Sequence, residues 1–247
     1  MIITATNVLS ILLILCVIPT VWLVYKKKIK FLNGVFLGTF LFLMSFVCSM
    51  YSIHIEYDLT PYDIFSHNAQ RILYAYSTAP GVTVEKLQAF KSAMTQLQNF
   101  YTKLLPALLV IATLFMSYVI FMISKGIFAI FKKDVSGFEK FCNLKMPGMA
   151  ILLAFICYIL SDTVNNVRLS YAFMNFTTII FNVCTVCGLS AIDYAVRKKV
   201  KISIVRFIIY AGVFLAFGNF VSTILPFIGI ADGILNFRRI GVESPNK

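Results

Sequence analysis

Charged side chains are scarce in this chain: Asp, Glu, Lys and Arg make up 13% of 247 residues, about half the share in a soluble domain. With 60% hydrophobic residues and a mean hydropathy of +0.86, that scarcity excludes a water-soluble globule, whose core has no room for so much apolar surface. Histidine is rarer still, with only His54 and His67. Neither lies in an H-E-x-x-H pattern, and the chain has no G-x-S-x-G, P-loop or G-x-G-x-x-G signature. A membrane hydrolase needs a nucleophile or a metal together with a base, and no such cluster is present. The expectation is therefore a chain that is not an enzyme and uses no metal and no cofactor.

Acids are outnumbered by bases, 10 against 22, for a net charge of +12. The bases sit at the ends of apolar runs rather than on one face interleaved with aromatics, which excludes nucleic acid as a partner. The 24 Phe and 12 Tyr suit lipid-facing and interfacial positions better than base stacking. The cysteines Cys16, Cys48, Cys142, Cys157, Cys184 and Cys187 lie almost wholly inside apolar runs, away from the polar loops where disulfide frameworks form. Cys184 and Cys187 make a C-x-x-C in FNVCTVCGLS, without a thioredoxin-like βαβ context or a second zinc-binding pair. They read as small apolar packing residues.

What the sequence does have is long uncharged apolar runs. A run near 20 residues is what a helix needs to cross roughly 30 Å of hydrocarbon. Six such spans are expected, near residues 2–25, 31–53, 104–124, 146–164, 169–192 and 202–229, forming one integral membrane domain over 1–247. The first lacks a basic leader region and an A-x-A-like cleavage site, so it reads as a span rather than a signal peptide. The fold class is all-α, a polytopic transmembrane helix bundle, and the chain's immediate partner is the lipid bilayer.

Basic residues fix the expected sidedness: 4 lie in residues 26–30, 5 in 125–145 and 4 in 197–201, three connections that fall on one side and read as cytoplasmic. The opposite side then carries the N-terminus and the external segment 54–103. Within that segment Leu87, Phe90, Met94, Leu97, Tyr101 and Leu104 recur at spacings of three and four after the breaker Pro80-Gly81 and a cap at Thr83. This predicts an extracytoplasmic amphipathic helix over 83–103 that runs into the third span. The stretch 202–237 is roughly 54 Å as one helix, too long for a simple crossing. A break at Pro226 and Gly229, with GIADGILNFRR returning as a half-helix, would bring Arg238 and Arg239 back to the basic side.

From Ala89 the order of features is distinctive: an amphipathic stretch entering KLLPALLVIATLFMSYVIF, a basic connection with FEKFCNLKMP, two further spans, RKKVK, and PFIGIADGILNFRR. The pattern Gly229, Asp232, Phe237, Arg238, Arg239, together with residues 141–147, resembles the YybS-like family of bacterial membrane proteins of unknown function, over about residues 85–240. The resemblance implies a multi-pass protein of the bacterial inner membrane and carries no activity with it.

Polar residues within a membrane are costly and are the default candidates for function. Asp232, flanked by Gly229 and Gly233, is the foremost, with a partner expected from another span or a water-filled cavity, and a pair with Arg238 or Arg239 as the plainer alternative. Asn175 and Asn182 in the fifth span and Asn219 in the sixth, with Thr177, Thr178, Ser222 and Thr223, are the other candidate ligand-binding groups; interhelical hydrogen bonding is the plainer use of them. Asp193 has Arg197 four residues on as its expected ion partner. Gly34 and Gly38 form a G-x-x-x-G, and with Gly229 and Gly233 they are read as helix-packing positions. The function these features suggest is a non-enzymatic membrane component that binds a small-molecule ligand or a membrane protein partner, similar in architecture to the substrate-binding subunits of energy-coupling-factor transporters. The rival reading is a structural or assembly factor acting through its external helix and basic loops.

Overall fold

The protein's structure, a computed structural model, describes residues 5–238, and every regular element among them is a helix. In order these are α1 (Ala5–Leu15), α2 (Val17–Tyr25), α3 (Phe31–Tyr57), α4 (Pro61–Ser77), α5 (Val84–Ile130), a 3-10 turn at Phe141–Asn143, α6 (Gly148–Thr163), α7 (Val167–Arg197) and α8 (Ser203–Leu235). By their contacts they form two compact units, Met1–Gly137 and Phe138–Lys247. Helices α3, α5 and α7 are each long and apolar enough to cross a membrane, and Ser10–Tyr25, Gly148–Thr163 and Thr223–Leu235 are shorter apolar helical stretches.

The surface carries many large apolar side chains that a soluble protein would bury. Leu215 is 90% exposed and Met149 77%, while Ser117 and Ser190 are fully buried. Large apolar groups turned outward would be costly in water but are at home among lipid tails, and small residues let helix backbones approach closely inside.

In the N-terminal unit α1 and α3 are joined by serines. Ser10 Oγ donates to the Ser45 carbonyl (3.1 Å), Ser45 Oγ returns to the Ser10 carbonyl (3.0 Å), and Ser49 Oγ donates to Ser10 Oγ (3.0 Å). Ser117 of α5 reaches the Val35 carbonyl of α3 at 2.8 Å. Gly34 and Gly38 make that approach possible. A Cβ on Gly34 would strike Val24, and one on Gly38 would strike Ser117 Oγ. Phe31 and Phe121 then meet edge to face, 5.9 Å apart, in the same interior.

Helix α5 starts from its Thr83 cap and runs unbroken through Pro106 to Ile130, so the amphipathic stretch and the third span are one helix, as the periodicity predicts. Its 47 residues extend roughly 70 Å, more than twice the hydrocarbon thickness. Helix α4 was not anticipated from the sequence. It opens with a capping box, Thr60 and Asp63 bonding reciprocally, with Pro61 in its first turn. Gly81, at φ +83, helps turn the chain so that α4 packs along the early part of α5. Phe65 lies on Tyr101 (4.7 Å) and Tyr76 stacks on Phe90 (4.3 Å).

In the C-terminal unit α8 remains helical through Pro226 and Gly229 to Leu235, so the expected break and half-helix do not form. The chain turns later. Asn236 ends the helix in the left-handed conformation (φ 49, ψ 48), its N–H bonded to the Asp232 carbonyl, a role that asparagine fills with little strain.

Candidate functional site

The charged interior of the C-terminal unit is built around Arg238. The turn at Asn236 directs its side chain back past the end of α8, where Nε and Nη2 donate to Asp232 Oδ2 at 3.1 and 2.7 Å. Nη1 donates to the Cys142 carbonyl (2.5 Å) and Ser190 Oγ (2.8 Å), and Nη2 also reaches the Leu144 carbonyl (2.7 Å). A guanidinium has five N–H donors, and the five bonds just given engage them all. Ser190 Oγ, from α7, in turn lies 2.7 Å from the Phe141 carbonyl and 3.0 Å from the Leu144 carbonyl. One buried cation thus ties together the 3-10 turn, α7 and the end of α8. Asp232 is 1% exposed and its Oδ1 is buried without a partner among the described residues; Arg238 compensates its charge through the other oxygen.

This settles Asp232 on the plainer of its two alternatives, the pair with Arg238. Its cation comes from its own segment rather than from another span, because the left-handed turn at Asn236 removes the two turns of helical rise that would have kept the pair apart. The carbonyls of the 3-10 turn region and Ser190 supply the other half of the cage.

Tight helix crossing surrounds the pair. A Cβ on Gly229 would collide with the Cys184 carbonyl, one on Gly188 with the Leu225 carbonyl, and one on Gly233 with Ile151. Cys184 and Cys187 are buried free thiols at this crossing.

A second buried ion pair flanks the α7–α8 connection. Asp193 meets Arg206 rather than the expected Arg197: Arg206 Nε donates to Asp193 Oδ1 at 2.8 Å, and Tyr210 donates to the same oxygen at 2.9 Å. Arg206 Nη1 also holds the Val200 and Lys201 carbonyls, each at 2.9 Å, wrapping the basic turn. Arg197 Nη1 lies 3.4 Å from Cys142 Sγ. The sequence reading overlooked Arg206 and Ser190. Arg206 left a signal, a lone guanidinium inside the run KISIVRFIIY, and intramembrane charges call for a partner. Ser190 left none, since its role depends on what folds against it.

The remaining candidates do not converge on this cluster. Asn175 Nδ2 donates to the Tyr171 carbonyl (2.7 Å) and Asn182 Nδ2 to the Thr178 carbonyl (2.9 Å), each four residues back on its own helix. Thr177 bonds across to the Ala154 carbonyl of α6 at 3.2 Å. The side chains of Asn219 and Ser222, and all of Arg239, lie outside the described residues. Among the described residues no group of three or more His, Cys, Asp or Glu side chains is placed to hold a metal.

An all-helical chain with outward-facing apolar side chains and internally paired charges is what a membrane protein requires, and the family comparison agrees. A family model described as "Predicted membrane protein (DUF2232)" matches residues 1–233. The chain belongs to this family. The match takes in the N-terminal helices as well as the region from residue 85, and the YybS-like resemblance is consistent with it. No curated protein and no solved structure matches the chain.

Proposed function

We propose that this family member is a non-enzymatic component of the bacterial inner membrane that acts by holding a protein partner, and that the α4–α5 hairpin presents the contact. Supporting this over a ligand seat among the helices is the state of Arg238: with all five donors engaged, the guanidinium has none left for an anionic ligand. Asn175 and Asn182 likewise bond to their own helices. The hairpin offers what the interior does not. Ile72 and Tyr74 of α4 and Leu97 and Phe100 of α5 are all exposed on it, and this part of α5 lies beyond the apolar run and so outside the hydrocarbon by length alone. Exposed apolar and aromatic side chains in such a place mark contact with a protein or with the interfacial zone.

Native mass spectrometry of the detergent-extracted chain tests the reading. The expected result is a protein that travels with the wild type and is lost from a Tyr74→Glu/Phe100→Glu variant that still inserts. A small molecule retained with no accompanying protein would favour the transporter-subunit reading and overturn this one.

A further inference from the structure

In the N-terminal unit a groove runs between α2 and α5. It is walled by Ile18, Trp22, Ile120, Ile127 and Phe128, with Ser124 as a polar lining residue. From Ile120 to Phe128 it follows roughly 12 Å of α5. One end of this apolar channel is marked by a cation. Lys26 Nζ stands 5.0 Å from the centroid of Trp22, a groove wall, and 5.5 Å from that of Tyr25. Tyr25 itself stacks on Phe128, another wall, at 4.6 Å. The neighbouring lysine is already committed, Lys27 Nζ lying 3.0 Å from Asp134. Among the described residues no carboxylate pairs with Lys26. Lys28 and Lys30 follow immediately in sequence, so positive charge accumulates where the groove ends.

An apolar channel capped by an uncompensated ammonium at the end of a membrane helix has the complementary chemistry of a molecule with an acyl tail and an anionic head. We propose that the α2–α5 groove binds one acyl chain of an anionic glycerophospholipid, with its phosphate on Lys26. A free phosphate has nothing to place in the groove, and a lipid of neutral headgroup gains little from the lysine. Trp22 contributes twice, as a groove wall and as the ring that positions the ammonium.

The test uses the purified full chain, reconstituted in bilayers of equal phosphatidylglycerol and phosphatidylcholine, extracted, stripped of loose lipid and examined by native mass spectrometry. Wild type should retain phosphatidylglycerol in preference, and Lys26→Gln should reduce that retention about fivefold, the weight of one lysine at an anionic surface. Lys26→Arg, which keeps the charge, should retain it. Ser124→Phe, which fills the groove without touching the charge, should lower retention of the lipid by a similar factor. Lys198→Gln, removing a lysine that stands 5.2 Å over Tyr194 in the C-terminal unit, should change nothing. Equal retention of the two lipids, an equal loss from Lys198→Gln, or unchanged retention in Ser124→Phe would each overturn the site. If Lys26→Gln failed to fold, the Ser124→Phe and Lys26→Arg results would still decide it.

Discussion

Arg238 Nη2 stands 2.7 Å from Asp232 Oδ2, both side chains buried, although the residues are six apart at the end of a helix. The left-handed Asn236 between them makes the pairing possible. Because the remaining guanidinium donors go to Ser190 and to the carbonyls of Cys142 and Leu144, the pair fastens the 3-10 turn, α7 and the end of α8 together.

Asp232→Asn should accordingly impair folding directly. It leaves a buried guanidinium uncompensated, and breaking one side of such a pair costs about 3–5 kcal/mol. Thermal unfolding in detergent should show a marked fall for Asp232→Asn and partial recovery in Asp232→Asn/Arg238→Met, where both charges are gone. A single variant that melts with the wild type would show that the pair fastens nothing.

The α7–α8 crossing makes a contrast among glycines. Gly188→Ala and Gly229→Ala would each drive a methyl into a facing carbonyl, forcing the helices apart at a cost of about 1–3 kcal/mol. Gly212 meets nothing within 4 Å, so Gly212→Ala should be neutral or stabilising by up to about 1 kcal/mol. Equal melting temperatures for all three variants would contradict the crossing.

Sidedness is predicted by the clustering of bases. Accessibility tags at Lys28, Lys133 and Lys199 should report cytoplasm, and a tag at Gly81, in the turn of the α4–α5 hairpin, should report the opposite side. Extracytoplasmic labelling at any two of the lysine sites would reverse the scheme.

The loop after α5 carries a pH-dependent contact. Asp134 accepts from the Ser136 N–H (2.9 Å), pairs with Lys27 (3.0 Å) and accepts from the Ser136 hydroxyl (2.8 Å), and these hold its pKa at about 2 instead of 3.8. A depressed carboxylate pKa stabilises the folded loop above the unfolded value. The contact should therefore be intact above pH ~4 and be lost as pH falls from there toward ~2. Carboxyl NMR titration of the protein in micelles reads this directly, and Lys27→Ala should raise the midpoint. A wild-type midpoint near 3.8 would exclude the contact.

Helix class, apolar runs and the continuity of α5 were legible in the sequence because each rests on local rules: run length against bilayer thickness, and apolar spacing of three and four from Leu87 to Leu104. Helix α4 was legible too, had the Thr60, Pro61, Asp63 cap and its one-sided apolar stripe been given their weight, but its low overall apolarity hid it among the polar external residues. Asp232 stood out as a candidate because a carboxylate in an apolar run is conspicuous. Arg238 was legible as one of two alternatives for its partner, but an even helical rise places it too far away, and only the turn at Asn236 closes the distance.

What the sequence determined by itself is therefore solvent and secondary structure: a chain this apolar must place its helices in lipid, and its lysines and arginines gather where the apolar runs end. What tertiary structure alone decided is the fate of each polar group. Asp193 chose Arg206 over the nearer-in-sequence Arg197, Ser190 became part of a buried cage, and the asparagines of α7 turned to their own backbone. Periodicity fixes which groups share a helix face, but a buried charge is settled by whichever donors the packing of other segments brings within hydrogen-bonding distance, and that information is not local.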